Sequence, residues 1–386
     1  MKNKALKIRV ALIGNFPLRT DNIKGGVEAV FVYLVEALRN FKELDIHVIT
    51  LNSKQKKRLY LESDGYHLHI LPAQSLGFPS FFIFDFNNIK KCLNEIKPDI
   101  VHSQGAGHKG YAAIKSGYPT LITFHGMLGE DAKYFNKVTD KIRLKLHSLI
   151  FETYCAKNST HAILISSYVK KYFGKKLRAK TYLIPNPVKK DFFNLSPYEE
   201  TGRVLFAGQI IPRKGIEDLL KALVMIKNKV KIKVILAGSL DESIYFNKIK
   251  KYIINNKLSK FVTFLGTLDE NSILDEFRRC CLLVLPSYQE TAPMVIQQAM
   301  AAGKPVIATK ICGIPYQVDD GVTGLLYETG DATALSKHLL RLLNENELRK
   351  KMGKKGKKKA YKYFNANAVA ADTLKVYNQM KNKMSI

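Results

Sequence analysis

Residues 282–306 read LLVLPSYQETAPMVIQQAMAAGKPV. Four apolar residues, Leu282 to Leu285, follow one another without alternation, the pattern of a strand buried on both faces. A short helix is expected to begin near Pro293, where a missing N–H costs nothing, and to stop at Gly303, a favoured residue just past a helix end. The start of such a helix offers free N–H groups and the positive end of a dipole, which suits a diphosphate. Glu290 stands just before that start. As a partner of the dipole alone it would contribute only about 0.3–1 kcal/mol. As a site residue it would accept hydrogen bonds from ligand hydroxyls.

The same strand-then-helix order extends in both directions. Lys7–Ile13 is apolar and β-prone, and from Val27 the residues Val30, Phe31, Leu34, Val35 and Leu38 share one helical face. Further strands are expected at Ile46–Leu51, Leu68–Leu71, Ile100–His102, Thr120–Phe124, Ala162–Ile165 and Thr181–Ile184. The polar stretch from Asn186 to Glu200 reads as a linker. A second series follows at Arg203–Ala207, Lys233–Ala237, Val262–Leu265, Leu282–Leu285, Val306–Ala308 and Leu325–Tyr327. The expectation is an α/β chain with two doubly wound parallel sheets, one domain at 1–190 and the other at 191–364. Residues 365–386 are expected to form a helix that packs back on the first domain. Ligands of open α/β sheets bind outside the carboxyl ends of the strands. The polar or glycine positions Gly14, His102, His125, Gly208, Gln209, Gly238 and Glu290 all follow expected strands.

Composition sets outer bounds. At 386 residues, 46% hydrophobic and 25% charged, the chain suits two globular domains. The short apolar run after the basic start reads as a first strand and not a signal peptide, and no run reaches membrane-span length. Five scattered cysteines, Cys92, Cys155, Cys280, Cys281 and Cys312, suggest neither a disulfide framework nor a metal cluster, so a reducing cytoplasm is the default. The net charge of +29 favours anionic partners, although the abundance of Lys, Asn and Ile without Trp is also what AT-rich coding produces.

The string from Glu290 to Gly303 resembles the signature of the retaining glycosyltransferases of family four. Glu290, Pro293, Ala299, Met300, Ala301 and Gly303 match it, and the match continues through Gly313-Ile314-Pro315 and Asp320 to Leu325. In the first half, Gly25-Gly26-Val27-Glu28 is similar to the family's glycine loop, and Pro98 to His102, Thr123 to Gly126, Ile165 to Ser167 and Ile184 to Val188 are similar to other family segments. In the second half, Gly208-Gln209 through Arg213-Lys214-Gly215 resembles the family's diphosphate loop. The resemblance implies a GT-B architecture, two Rossmann-like domains facing across a cleft. It implies a nucleotide-sugar donor, retention of configuration, and no cofactor or metal. It assigns catalytic roles to Glu290, His125 and Lys214. It assigns donor contacts to Gly25, Gly26, Gln209, Arg213, Gly238, Thr291, Ala292, Pro293, Met294, Val295 and Gln298. His102 is expected to hydrogen-bond inside its strand end.

Three positions depart from the family. Gln209 replaces the usual Arg, Gln298 replaces the second Glu, and Tyr316 stands where an acidic residue often follows Gly-Ile-Pro. Gln298 can still accept such a bond but lacks the charge and the bidentate acceptor geometry of a carboxylate. Only Glu290 is a strong carboxylate candidate, whereas a retaining glycosidase needs two. No Asp-x-Asp metal motif stands at a strand end.

The acceptor is less defined. Between Lys133 and Lys157, Lys137, Lys141, Arg143 and Lys145 interleave with Val138, Ile142, Leu146, Leu149 and Ile150, and Lys170, Lys171, Lys175 and Lys176 follow. This is either a helix lying on an anionic membrane, which suits a glycan or lipid-linked acceptor at the inner face, or a core helix with a solvated lysine face. Two rival readings stay open, another GT-B enzyme such as an epimerase or phosphorylase, and a non-catalytic homologue that binds membrane or glycan through its charge. Nucleic acid is not expected as a partner, because no stacking platform or recognition motif accompanies the lysines.

Overall fold

The computed structural model describes residues 7–20, 23, 25–73, 81–135, 137–196, 198–239 and 244–384. The chain forms two compact units, one of residues 1–20, 24–187 and 366–386, the other of residues 21–23 and 188–365.

The first unit holds strands β1 (Ile8–Ile13), β2 (Leu44–Asn52), β3 (Leu59–Ser63), β4 (Tyr66–Pro72), β5 (Ile100–Gln104), β6 (Thr120–Phe124), β7 (His161–Leu164) and β8 (Lys180–Leu183). They form one sheet in the order β3-β4-β2-β1-β5-β6-β7-β8. Every pairing is parallel except β3 with β4. The second unit holds β9 (Arg203–Ala207), β10 (Lys233–Ala237), β11 (Val262–Gly266), β12 (Leu282–Leu285), β13 (Val306–Thr309) and β14 (Gly324–Tyr327), all parallel in the order β11-β10-β9-β12-β13-β14.

The central strands are apolar on both faces because helices cover both. Val10 to Ile13 and Leu282 to Leu285 are buried throughout. In each unit the chain first winds to one side and then crosses to the other. The reversal falls between β1 and β5 in the first sheet and between β9 and β12 in the second. At such a switch point the flanking loops part and leave a crevice outside the strand ends.

Two stretches differ from expectation. β3, not expected, is an exposed antiparallel edge whose Leu59, Tyr60 and Leu61 lie on the surface, so no burial pattern marks it in the sequence. The stretch read as a linker is in part structural. Val188, Phe192 and Phe193 are buried, Phe192 packs edge-on to Phe277 at 5.6 Å, and the Val188 amide donates to the Phe364 carbonyl. Its polar residues masked these three anchors.

The helix Ala366–Met384 belongs to the first unit and packs on the helix Gly26–Leu38 and on β5. Fully buried Tyr377 accepts from His102 Nδ1 at 2.7 Å, while His102 Nε2 accepts from Thr123 Oγ1 at 2.7 Å and from Gln104 Nε2 at 3.1 Å. His102 thus hydrogen-bonds within the strand ends, as expected. Burial, aided by nearby His125, pushes its pKa from 6.5 down to about 3.

Replacing Tyr377 with Phe leaves a buried N–H unpaired and should lower unfolding free energy by about 1–3 kcal/mol, read from urea denaturation. The unfolded imidazole takes a proton that the folded one refuses. Stability should therefore fall as pH drops below 6.5 towards 3, and this part of the loss should disappear in His102→Asn.

Candidate active site

In the second unit the loops after β9 and β12 meet at the switch point. The Tyr288 amide donates to the Arg213 carbonyl at 2.8 Å. Gly215 has φ +67°, and a Cβ there would overlap the Pro286 carbonyl oxygen. Only glycine combines that conformation with that approach. Gly238, at φ +154°, likewise lies so close to the Gly208 carbonyl that a side chain would collide with it.

This contact brings cations to the Glu290 carboxylate. Buried Glu290 accepts from Lys214 Nζ and, at 2.9 Å, from Ser287 Oγ on the same oxygen, while its other oxygen lies 3.9 Å from Arg213 Nη1. Arg213 Nη1 also donates to the Gln289 carbonyl at 2.8 Å and to Gln289 Oε1 at 3.0 Å. A buried carboxylate is tolerated only when paired and hydrogen-bonded, and here it has both. The Glu290 carbonyl accepts from the Gly313 amide at 3.0 Å, which ties the loop after β13 to the same point.

The helix Met294–Ala301 begins beside Glu290 with Pro293 at its cap position and no side-chain cap. Thr291, Ala292, Pro293 and Met294 are buried, whereas Val295 and Gln298 are half-buried. Gln209 is exposed, and so is Tyr316. The residues brought together are therefore Glu290, Lys214 and Arg213, while Gln209 is exposed in the loop that carries them.

Ser287 and Gln289 went unnoticed in the sequence, although they set the positions of Glu290 and Arg213. So did the tie from Tyr288 Oη to buried Asp218 at 2.5 Å. Their one signal is their place just after a buried strand.

In the first unit, His125 follows β6 and its Nε2 donates to Gln104 Oε1 at 2.9 Å. Burial pushes its pKa down to about 4, against a smaller pull from the Asn186 side chain, so the ring is neutral near pH 7. His125, Gln104, Thr123 and Asn186 line a small cavity with Val30 and Leu34 of the helix Gly26–Leu38. Gly25 caps that helix at φ −172°, which any residue adopts, and a Cβ on it would meet nothing within 4 Å. Among the described residues, neither strain nor packing calls for glycine at this position.

Known proteins resemble this chain in sequence and fold. The profile described as Glycosyltransferase Family 4 matches residues 24–192, and that of Glycosyl transferases group 1 matches residues 187–359. The chain belongs to the group 1, family 4 glycosyltransferases. An uncharacterized glycosyltransferase of Methanocaldococcus jannaschii is 27% identical over 92% of this chain and 96% of its own length. Sucrose-phosphate synthase of Thermosynechococcus elongatus superposes with a TM-score of 0.80 at 23% identity, covering 97% of this chain and 99% of that one. Anabaena HepE in complex with UDP-glucose gives 0.72 at 18% identity, over 96% and 100%. The fold is GT-B, as the sequence implied.

The two glycines separate structural from ligand constraints. Gly215→Ala should cost at least about 1–3 kcal/mol in urea denaturation, the strain at this backbone conformation, with the overlap on the Pro286 carbonyl added to it. Gly25→Ala should leave stability within about 0.5 kcal/mol of the parent.

Proposed function

We propose that this glycosyltransferase moves a hexose from a nucleotide-diphosphate sugar to an acceptor hydroxyl with retention and without a metal at the donor site. The observation that carries this reading is the buried Glu290 carboxylate held by Lys214 and Arg213 at the foot of an uncapped helix. The diphosphate would lie at the helix start, where the first amides point and the dipole is positive. Lys214 and Arg213 would then face the charge that builds on the leaving diphosphate, a stabilisation that grows towards the transition state. Glu290, its charge balanced by those cations, would orient the sugar through its hydroxyls. Gln298, half-exposed on the same helix, would accept one ribose hydroxyl.

The leaving diphosphate would itself take the acceptor proton on the face it departs from, which preserves the anomeric configuration. His125, neutral near pH 7, would hydrogen-bond to the sugar and carry no charge. The open space at Gly25 supports a ligand that passes close to the backbone there.

A surface on the first unit supports an acceptor at an anionic membrane. The helix Val138–His147 buries none of its residues, whereas the continuation of the same segment buries Phe151, Cys155 and Ala156. Val138 is 67% exposed and Leu149 66%, and Ile142 and Leu146 are also exposed among Lys137, Lys141 and Lys145. Phe81, Ile83 and Phe84 extend this apolar surface, since neighbouring Phe82 lies 5.9 Å from the His147 ring and 5.7 Å from that of Phe151. Apolar residues ringed by lysine suit insertion between anionic headgroups, where each lysine adds about 1 kcal/mol. No helix among the described residues is long and apolar enough to cross a membrane. A peripheral contact of this kind fits a lipid-linked or growing surface glycan.

A nucleotide-release screen over UDP-, GDP- and ADP-sugars in EDTA tests the reaction. One donor class should turn over, Lys214→Ala should lower kcat about 10²–10³-fold, and Gln298→Glu should lower KM for the donor. No turnover in either the parent or Gln298→Glu would favour the non-catalytic binding protein.

Liposome sedimentation tests the surface. Binding to anionic vesicles should fall with added salt and be lost in the double variant Val138→Glu/Leu149→Glu. Equal binding to neutral vesicles would contradict it.

A further inference from the structure

A second polar cluster lies in the first unit, away from the strand ends that carry Gln104 and His125. Asp45 and His47 sit two apart near the amino end of β2, on one face of the sheet. His67 is the second residue of β4, and the strand register places it opposite His47. His47 Nε2 is 3.5 Å and His67 Nε2 3.7 Å from Asp45 Oδ1, and the three atoms lie within 4.8 Å of one another. The remaining heteroatom of each residue is already held. Asp45 Oδ2 accepts from Arg9 Nε at 2.7 Å, His67 Nδ1 contacts Tyr60 Oη at 2.7 Å, and His47 Nδ1 contacts His69 Nε2 at 3.0 Å.

We infer that Asp45, His47 and His67 form a site for a divalent first-row transition-metal ion such as Zn²⁺, bridging β2 and β4. Two imidazoles and one carboxylate are a borderline donor set that suits Zn²⁺, Ni²⁺ or Cu²⁺ better than Mg²⁺ or Ca²⁺, which prefer oxygen throughout. With metal–ligand bonds of about 2.0–2.1 Å, a tetrahedral site has ligand–ligand edges of roughly 3.3–3.4 Å. The two edges to Asp45 already approach that length. The outer contacts are those that orient metal ligands, a phenol behind one imidazole, a second imidazole behind the other and a guanidinium behind the carboxylate. The His67 side chain is 30% exposed, which leaves a path for the ion and room for a water ligand.

Binding has a defined cost in the hydrogen-bond chain. Arg58 Nη2 donates to His69 Nδ1 at 2.9 Å, so neutral His69 donates from Nε2 to His47 Nδ1 and places the His47 proton on Nε2. Metal binding reverses both tautomers. His47 then donates from Nδ1 to His69 Nε2, and the His69 proton moves to Nδ1, where it displaces the Arg58 contact. Arg58 keeps its ion pair with Glu95. No net proton is released by this exchange.

The site stands at the opposite end of the sheet from Gln104 and His125. It is a cross-link between strands and not a catalytic centre, and it does not depend on the proposed reaction.

The test uses the full chain stripped with a chelator, titrated with Zn²⁺ by calorimetry and with Co²⁺ by visible absorption. One equivalent of Zn²⁺ should bind with micromolar or tighter affinity, raise Tm, and compete with Co²⁺ for a single saturable site. His67→Ala should weaken binding by at least about tenfold, as should the milder Tyr60→Phe, whose ring is on the surface, while His161→Ala should not. No saturable binding, or binding equal in the parent, His67→Ala and Tyr60→Phe, would overturn the assignment.

Discussion

A carboxylate buried at a strand switch point is the constraint on which the second unit turns. Glu290 is held because Lys214, Arg213 and Ser287 reach it, and they reach it because the loops after β9 and β12 nearly touch. That approach requires Gly215, whose missing Cβ leaves room for the Pro286 carbonyl. It also places the start of the helix Met294–Ala301 beside two cations. Packing, electrostatics and the proposed diphosphate site are thus one arrangement, and loss of any part exposes the cost of the buried charge.

The first unit solves a related problem with neutral groups. His102 and His125 are kept uncharged by burial, and Gln104 joins them, donating to one ring and accepting from the other. The amide fixes which nitrogen of each ring carries its proton. Tyr377 closes the chain from the last helix, so the carboxyl-terminal segment is part of the polar core of this unit and not an appendage. The two units therefore place opposite kinds of chemistry at their strand ends, paired charges in one and oriented dipoles in the other.

Most of the fold was legible because central strands such as Leu282–Leu285 are continuous apolar runs and helix faces such as Val30, Phe31, Leu34 and Leu38 repeat at helical spacing. β3 was not, since an exposed edge carries no burial pattern. Val188, Phe192 and Phe193 were missed because they are isolated anchors in a polar stretch. Within the site, Glu290, Lys214 and Arg213 were legible through the resemblance, whereas Ser287 and Gln289 act through contacts that only the folded loops create. The Asp45, His47 and His67 cluster was invisible for another reason. Its members become neighbours through the register of β2 against β4, a relation that local patterning does not encode. The helix Val138–His147 was ambiguous in sequence, because interleaved lysine and apolar residues describe a core face and a membrane face equally well until burial is known.

The Glu290–Lys214–Arg213 cluster and the adjoining helix start are proposed as a donor diphosphate site. A crystal structure of the chain with UDP, GDP or ADP tests it most directly. Diphosphate density is expected against the amides of Met294 and Val295, with Lys214 or Arg213 turned towards it. A nucleotide diphosphate bound elsewhere on the second unit, with both cations still committed to Glu290 and Gln289, would contradict it.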